Sequence, residues 1–291
     1  MSSGPHFHRT RIAPTPSGFL HLGNVLSFSI TATLARKTGA KILLRIDDMD
    51  QTRADARYVQ DVFDTLNFLG IPWDEGPANT EDFERNYSQI HRLNLYNQAL
   101  EKLYTKGLIY GCGCSRKQLA TRNCPCAGKH MPFDTMDVSW RLKTDTQTVL
   151  NIQDYKGGVV QAVLPPEMEN FVVKRRDGLP AYQLTSVIDD LHYGIDFIVR
   201  GQDLWASTVA QAYLASVLNE KQFASITFYH HPLLMESPGK KLSKSAGATS
   251  VKHMCEQGKA AGEIFEIICS MLGLAKPVTN WQQLADQALM I

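Results

Sequence analysis

The sequence predicts an α/β protein: a doubly wound parallel sheet, interrupted by a mostly β insertion and followed by a short helical tail. Three observations predict it. Over the first hundred residues short apolar runs alternate with stretches of helical periodicity, the pattern of strand–helix–strand units. Between about 108 and 185 the pattern changes to short β-like runs around a cysteine cluster. From about 186 the strand–helix alternation resumes, so the two outer parts are expected to form one sheet around one site.

Residues 24–38 read as a helix, with Val25, Leu26, Ile30 and Leu34 on or near one face and Gly39 as its stop. The run Lys41–Asp47 is apolar and ends in acids, which suits a buried parallel strand with its C-terminal end at a site. Val59, Val62, Phe63, Leu66 and Leu69 keep helical spacing up to Gly70, and residues 84–106 read as a third helix closed by Gly107. In the insertion, Val138–Lys143 and Phe171–Lys174 read as strands, and Asp177-Gly178 is a hairpin-turn signal. Then follow a strand at Asp196–Arg200, a helix over about 203–218, a strand at Phe228–Leu234, a lysine-rich loop, and a helical tail from about 250. The expected division is a discontinuous α/β domain over 1–107 and 186–250, an insert over 108–185, and a tail over 251–291.

A chain of 291 residues can bury a full core, and 44% hydrophobic with 20% charged residues is the composition of a globular protein. No run approaches the ~18 apolar residues of a membrane span, and Met1–His6 lacks the apolar centre of a secretory signal. A cytoplasmic protein without a membrane partner is expected. The formal charge of +1 excludes a polycation, so a nucleic-acid partner would need a local basic surface. Cys112, Cys114, Cys124 and Cys126 cluster, and without an export signal they point to a metal site rather than disulfides. Cys255 and Cys269 read as ordinary buried thiols.

Two segments carry the chemistry. Pro14-Thr15-Pro16-Ser17-Gly18-Phe19-Leu20-His21-Leu22-Gly23-Asn24 is a glycine-punctuated turn running into a helix. A helix N-terminus presents unpaired N–H groups to anions. Gly23 lets a base or ribose approach the backbone, and His21 can donate to phosphate oxygens. The second segment, Gly239-Lys240-Lys241-Leu242-Ser243-Lys244-Ser245, is a loop whose Lys241 and Lys244 can reach a triphosphate. Expelling pyrophosphate builds negative charge on the leaving oxygens, and lysines that meet it stabilise the transition state more than the ground state. Together the segments describe a site that binds ATP and activates a carboxylate. His21, Lys241 and Lys244 are the candidate catalytic groups; His21, Gly23, Asn24 and Lys244 are the candidate ATP contacts.

This pairing resembles the two signatures of class I aminoacyl-tRNA synthetases. Arg11–Gly18, Leu44–Asp50 and Val199–Asp203 narrow the resemblance to the glutamyl branch, and it runs from about residue 9 to 250. It implies a Rossmann-type catalytic domain in the outer parts of the chain. A full glutamyl-tRNA synthetase is similar through this region and continues into a helical anticodon-binding domain. Here about 45 residues follow the lysine loop, which fits the truncated paralogues, the glutamyl-queuosine tRNA(Asp) synthetases, with no anticodon-binding domain. That family activates L-glutamate with ATP, for which Mg²⁺ is expected. It then esterifies glutamate to the cyclopentenediol of queuosine in the tRNA(Asp) anticodon stem-loop.

The resemblance places the glutamate site on Arg11, Ala13, Thr15, Asp47, Tyr182 and Arg200. Two guanidiniums and a tyrosine hydroxyl suit an amino acid with two carboxylates. Asp47 matches the acid that holds the substrate amino group, where the family usually has Glu; Asn24 stands where the broad class signature has His. The family's zinc spacing selects Cys112, Cys114, Cys126 and His130 as structural Zn²⁺ ligands. Cys124 is the alternative, since spacing alone equally permits four cysteines. Arg175 and Arg176, beside the hairpin turn, are candidate tRNA contacts. Two rival readings stand beside this one: a synthetase that charges a tRNA 3′ end, and a non-catalytic protein that keeps the fold for binding.

Overall fold

The computed structural model describes residues 5–115, 117–118, 124–129, 131–237, 240–241, 250–274 and 276–290, with the backbone alone at 235–237 and 240–241. In chain order its strands are β1 (Arg9–Ile12), β2 (Lys41–Leu44), β3 (Ile109–Cys112), β4 (Ser139–Leu142), β5 (Leu150–Asp154), β6 (Gly158–Ala162), β7 (Val172–Lys174), β8 (Phe197–Gly201), β9 (Thr227–His231), β10 (Met235–Ser237) and β11 (Lys240–Lys241). The longer helices are α1 (Leu22–Thr38), α2 (Ala56–Leu69), α3 (Leu93–Thr105), α4 (Tyr182–His192), α5 (Trp205–Leu218), α6 (Val251–Glu256), α7 (Ala261–Met271) and α8 (Trp281–Ala288).

The chain packs as two compact units. One holds residues 1–89, 195–203 and 227–291; the other holds 90–194 and 204–226. The change of unit therefore falls near residue 90, not 108, and helices α3 and α5 pack with the insertion. The tail belongs to the first unit.

In the first unit β1 pairs parallel with β2, from Arg9↔Lys41 to Ile12↔Leu44. β8 pairs parallel with β9, from Phe197↔Thr227 to Gly201↔His231. Asp196, at the foot of β8, joins the pairs: its carboxylate accepts the N–H groups of His8 and Arg9, and its own N–H donates to the Arg9 carbonyl. Parallel strands need a crossover, and α1 supplies it between β1 and β2. Its buried residues include Ser29, Thr31 and Thr33 as well as the expected apolar positions. Ser29, Thr31 and Thr38 satisfy their hydroxyls on carbonyls four residues back, whereas the buried Thr33 hydroxyl has no partner among the described residues. Gly39 and Gly70 close α1 and α2 in the left-handed conformation.

One face of α1 is covered by α8. Trp281 is buried, donates to the Gly70 carbonyl at 2.8 Å and carries the Arg36 guanidinium 4.4 Å from its ring. Gly76 shows the tightest backbone approach. Its φ is +105°, and a Cβ there would fall on the Leu44 carbonyl oxygen, so Glu75 can bridge to β2 only because residue 76 has no side chain.

The second unit contains the antiparallel sheet β3–β4–β7, the hairpin β5–β6, and the helices α3, α4 and α5. The turn at Asp177-Gly178 forms, with Gly178 at φ +84°. The predicted helix over 84–106 is regular only over Leu93–Thr105; a π turn at Phe83–Tyr87 and a 3₁₀ turn at Gln89–Arg92 precede it. The cause is local. Ser88 and Gln89 turn inward to bind Asp48, and Arg92 turns inward to Asp189. Arg92 grips both Asp189 carboxylate oxygens, at 2.8 and 3.2 Å, and the Tyr96 hydroxyl donates to the same group at 2.6 Å. A buried pair with this many hydrogen bonds locks α3 against α4, because removing one partner would strand the other charge.

Candidate functional site

The first unit assembles the candidate site at the C-terminal ends of β1, β2 and β8, the edge at which open α/β sheets bind ligands. β1 ends in Arg11 and Ile12, and its extension carries Ala13, half-buried, and Thr15, exposed. Past β2 the chain keeps step with it: Arg45 N–H donates to the Ile12 carbonyl and Asp47 N–H to the Pro14 carbonyl, both at 2.9 Å. Asp47 is thereby set beside the Ala13–Thr15 segment. Arg11 is buried and donates to the Val199 carbonyl of β8 at 3.3 Å. Arg200, the next residue, is buried with its guanidinium 5.3 Å from the Phe228 ring centroid. Five of the six expected glutamate residues therefore lie on neighbouring strand ends. Tyr182 is in the second unit, as the first residue of α4, with 42% of its surface exposed.

Asp47 has a partner that sequence spacing did not reveal. Arg45 donates to both of its oxygens, at 2.7 and 3.1 Å, and both side chains are buried. The pairing fixes the orientation of the Asp47 carboxylate in a place shielded from water. The neighbouring Asp48 accepts from the Ser88 hydroxyl and the Gln89 N–H, while Gln89 accepts the Met49 N–H. These bonds tie the loop after β2 to the turn at 88–89.

His21 is the N-cap of α1. Its Nδ1 accepts the Gly23 N–H at 3.1 Å, and the Asn24 side chain accepts the His21 N–H at 3.0 Å, a reciprocal capping box. With Nδ1 accepting, the proton of the neutral ring sits on Nε2, the tautomer that can donate to a phosphate oxygen. Gly23 has a second reason to be glycine. A Cβ there would lie 3.0 Å from His21 Cε1 and 3.1 Å from Nδ1, so the folded-back ring would have to give by a few tenths of an ångström. Asn24 serves as a cap partner, which explains how it can stand at this position.

The described residues on either side of the lysine segment are Lys241 and Ser250. Lys241 pairs through its backbone with Met235 in the β10–β11 hairpin. At the other end Ser250 bridges His21, and Val251 N–H donates to the Leu20 carbonyl at 2.9 Å. Ser250 also caps α6. The side chain of Lys241, and Lys244 altogether, lie outside the described residues.

Asp61 of α2 completes the turn. It is buried and accepts the Leu20 N–H at 2.7 Å. Burial pushes its carboxyl above the usual range, against the Leu20 bond, which pulls it down. A sequence signal existed: Asp61 and Thr65 sit four apart beside the apolar face of α2, where solvated residues are not expected.

In the second unit the sulfur atoms of Cys112, Cys114, Cys124 and Cys126 all lie within 4.8 Å of one another, with Cys112–Cys124 at 3.4 Å and Cys114–Cys126 at 3.7 Å. Tetrahedral zinc with Zn–S bonds of ~2.3 Å places its sulfurs ~3.8 Å apart, so the four cysteines fit that ion. His130 lies outside the described residues. Tyr110 packs in the same buried cluster as Cys112 and Cys126. Arg176 donates to the Gly113 and Cys114 carbonyls, both at 2.8 Å, while Arg175 pairs with Asp177. These two arginines are therefore employed in holding the turn and the cysteine knuckle.

Residues 8–276 match the model of the tRNA synthetases class I (E and Q), catalytic domain. The chain belongs to this family. Among its relatives, the glutamate–tRNA ligase of Nitrosomonas europaea is 34% identical over 267 residues, which cover 86% of this chain and 54% of that protein. The Glutamyl-Q tRNA(Asp) synthetase of Nitratidesulfovibrio vulgaris is 30% identical over 285 residues, 91% of this chain and 86% of that one; that of Dechloromonas aromatica is 34% identical over 256 residues, 84% and 80%. This chain thus spans about half of a glutamate–tRNA ligase and most of a Glutamyl-Q synthetase. A solved glutamate–tRNA synthetase from Elizabethkingia anophelis shares the fold, with a TM-score of 0.75 at 21% identity over 97% of this chain and 66% of that one. As a class I synthetase of this family, the protein is an α/β ligase. Among its described residues no helix is long and apolar enough to cross a membrane.

Proposed function

We propose that this protein activates L-glutamate with ATP and transfers it to queuosine in the anticodon of tRNA(Asp). The observation that carries the activation step is the stitching of His21 to Ser250, which brings the capped N-terminus of α1 and the end of the lysine loop into one place. The queuosine acceptor is supported by the Glutamyl-Q synthetases, matched over 80–86% of their own length.

The glutamate α-carboxylate attacks the α-phosphorus of ATP; the bond to the β-phosphate bridging oxygen breaks and pyrophosphate leaves. No residue need become covalently bound, because positioning and charge stabilisation carry the reaction. Nε2–H of His21 donates to a phosphate oxygen, with the α1 N-terminus behind it. Lys241 and Lys244 meet the charge on the leaving pyrophosphate. Arg11 and Arg200 bind substrate carboxylates, Asp47 takes the ammonium group, Ala13 and Thr15 line the entry, and Tyr182 supplies a hydroxyl. Mg²⁺ bound to ATP would neutralise phosphate charge. Zinc on Cys112, Cys114, Cys124 and Cys126 would staple the insert. The set with His130 in place of Cys124 is the alternative, and neither set takes part in the reaction. A cytoplasmic location follows from the substrates.

Transfer of labelled glutamate to tRNA(Asp) with and without queuosine tests the assignment. Label on the modified tRNA alone is expected. Robust charging of queuosine-free tRNA(Glu) at its 3′ end, without transfer to modified tRNA(Asp), would restore the glutamate–tRNA ligase reading. Absence of ATP–pyrophosphate exchange would identify a binding protein.

A further inference from the structure

The peptide of Leu20 is held from both sides. Its N–H donates to Asp61 at 2.7 Å, and its carbonyl accepts the Val251 N–H at 2.9 Å. The residue after it is His21, the N-cap of α1; the residue before Val251 is Ser250, which bridges His21. One buried carboxylate on α2 thus sits behind both the turn that carries His21 and Ser250–Val251, the described residues that follow the lysine segment. The surroundings confirm that the arrangement is built. Phe19 packs edge-on against Tyr58 of α2, with ring centroids 4.9 Å apart, and the Lys252 ammonium lies 4.6 Å from the Phe19 ring. Lys252 lowers the electrostatic cost of the Asp61 charge, and Thr65, one helical turn on, favours the charged form as well.

A carboxylate is costly to bury and a helix has no need of one on its packed face. The group must therefore be explained by what it holds, which is a single backbone N–H in a turn outside any strand or helix. We infer that Asp61 is a positioning residue for nucleotide activation. By fixing the Leu20 peptide it sets the place of the His21 ring and of the Ser250–Val251 anchor relative to each other. Asp61 touches no substrate; it acts through Leu20. The inference deepens the proposed ATP-dependent activation and rests on it.

The test compares Asp61→Ala, Asp61→Asn and Leu66→Ala in the full chain. Leu66 is a fully buried residue of the same helix. It serves as the control for general loosening of α2. Two readouts are needed: ATP–pyrophosphate exchange at a temperature where all variants are folded, and amide hydrogen exchange in peptides covering 18–25 and 250–255. Asp61→Ala should reduce exchange turnover by about 10–100-fold at saturating glutamate, the effect of a small misplacement of reacting groups. The KM for glutamate should change little. Hydrogen exchange should speed up in both peptides. Asp61→Asn retains an acceptor oxygen for the Leu20 N–H and should recover turnover to within a few-fold of wild type. Leu66→Ala should keep turnover per folded molecule.

Equal turnover loss in Asp61→Ala and Leu66→Ala would overturn the inference, and so would unchanged hydrogen exchange around Leu20 and Val251 in Asp61→Ala. Wild-type protein inactive in exchange would remove the activation reading itself, and the hydrogen-exchange comparison would still decide whether Asp61 holds the two segments together.

Discussion

Replacing Gly23 with alanine separates the role of the α1 N-terminus in catalysis from its role in folding. The new Cβ would stand 3.0 Å from His21 Cε1 and 3.1 Å from Nδ1. The obstacle is a ring already locked as an N-cap, so the ring must move by a few tenths of an ångström and give up the Gly23 N–H bond. Losing a cap of this kind costs about 0.5–2 kcal/mol. Alanine in place of glycine within a helix returns up to ~1 kcal/mol. The two nearly cancel, and the net change in unfolding free energy should stay within ~1 kcal/mol of zero. Catalysis has no such compensation. Nε2 moves with the ring, and misplacement of a phosphate donor on this scale costs about 10–100-fold in rate. Urea unfolding and ATP–pyrophosphate exchange on the same preparations make the comparison. Wild-type exchange in Gly23→Ala would show that the ring position set by the cap does not matter to the reaction. A stability loss well above ~2 kcal/mol would show that the His21 ring cannot yield to the added methyl group.

Three further outcomes are expected. Cys124→Ser should lose its zinc in metal analysis, because all four sulfurs lie within bonding reach of one ion; if it keeps zinc while Cys126→Ser loses it, the ligand set with His130 is correct. Arg45→Met should lower stability by about 3–5 kcal/mol in urea unfolding, since it leaves the Asp47 charge buried without its bidentate partner; a loss under ~1 kcal/mol would show that Asp47 finds another partner or takes up a proton cheaply. His231 is buried, donates Nδ1–H to the Pro232 carbonyl, and has its pKa lowered by burial. A histidine kept neutral in the fold binds protons more readily when unfolded, so its contribution to stability is present above about pH 6.5 and is lost as pH falls below that value. Unfolding free energy should drop between pH 7 and 5, and His231→Leu should flatten that slope; an unchanged slope would place the acid sensitivity elsewhere.

Much of the fold was legible because its elements are marked locally. Gly39, Gly70 and Asp177-Gly178 stand where a left-handed or tight turn is required, and the chain turns at each of them. The apolar run Lys41–Leu44 became a buried parallel strand because nothing in it competes with the ladder. The expectation failed where a polar side chain is claimed by a residue far away in sequence. The helix expected from residue 84 starts only at Leu93, because Ser88 and Gln89 are drawn to Asp48 and Arg92 to Asp189, 97 positions on. Periodicity carries no information about such partners. The same reasoning accounts for Arg176. Beside a turn signal it reads as a solvated cation available to RNA, whereas folded it binds the carbonyls of the cysteine knuckle.

The candidate site divides along the same line. Residues that must meet a ligand are written in contiguous strings, because a turn, a cap and a strand end are each a few residues long. His21, Gly23 and Asn24 form their capping box entirely among themselves. Residues that hold those strings in place can stand far from them, as Asp61 under Leu20 and Ser88 on Asp48 do, whereas Arg45 holds Asp47 from within the same string. Each is a buried polar side chain, and each makes its bond to a segment that has no regular structure of its own. A turn cannot satisfy its own N–H groups as a helix does. A site built from turns at strand ends therefore recruits buried polar groups from its own loops and from the helix behind it. That requirement gives a rule for reading the chain: an acid placed on the packed side of an otherwise apolar helix, as Asp61 is beside Val62 and Leu66, marks a turn that something else depends on.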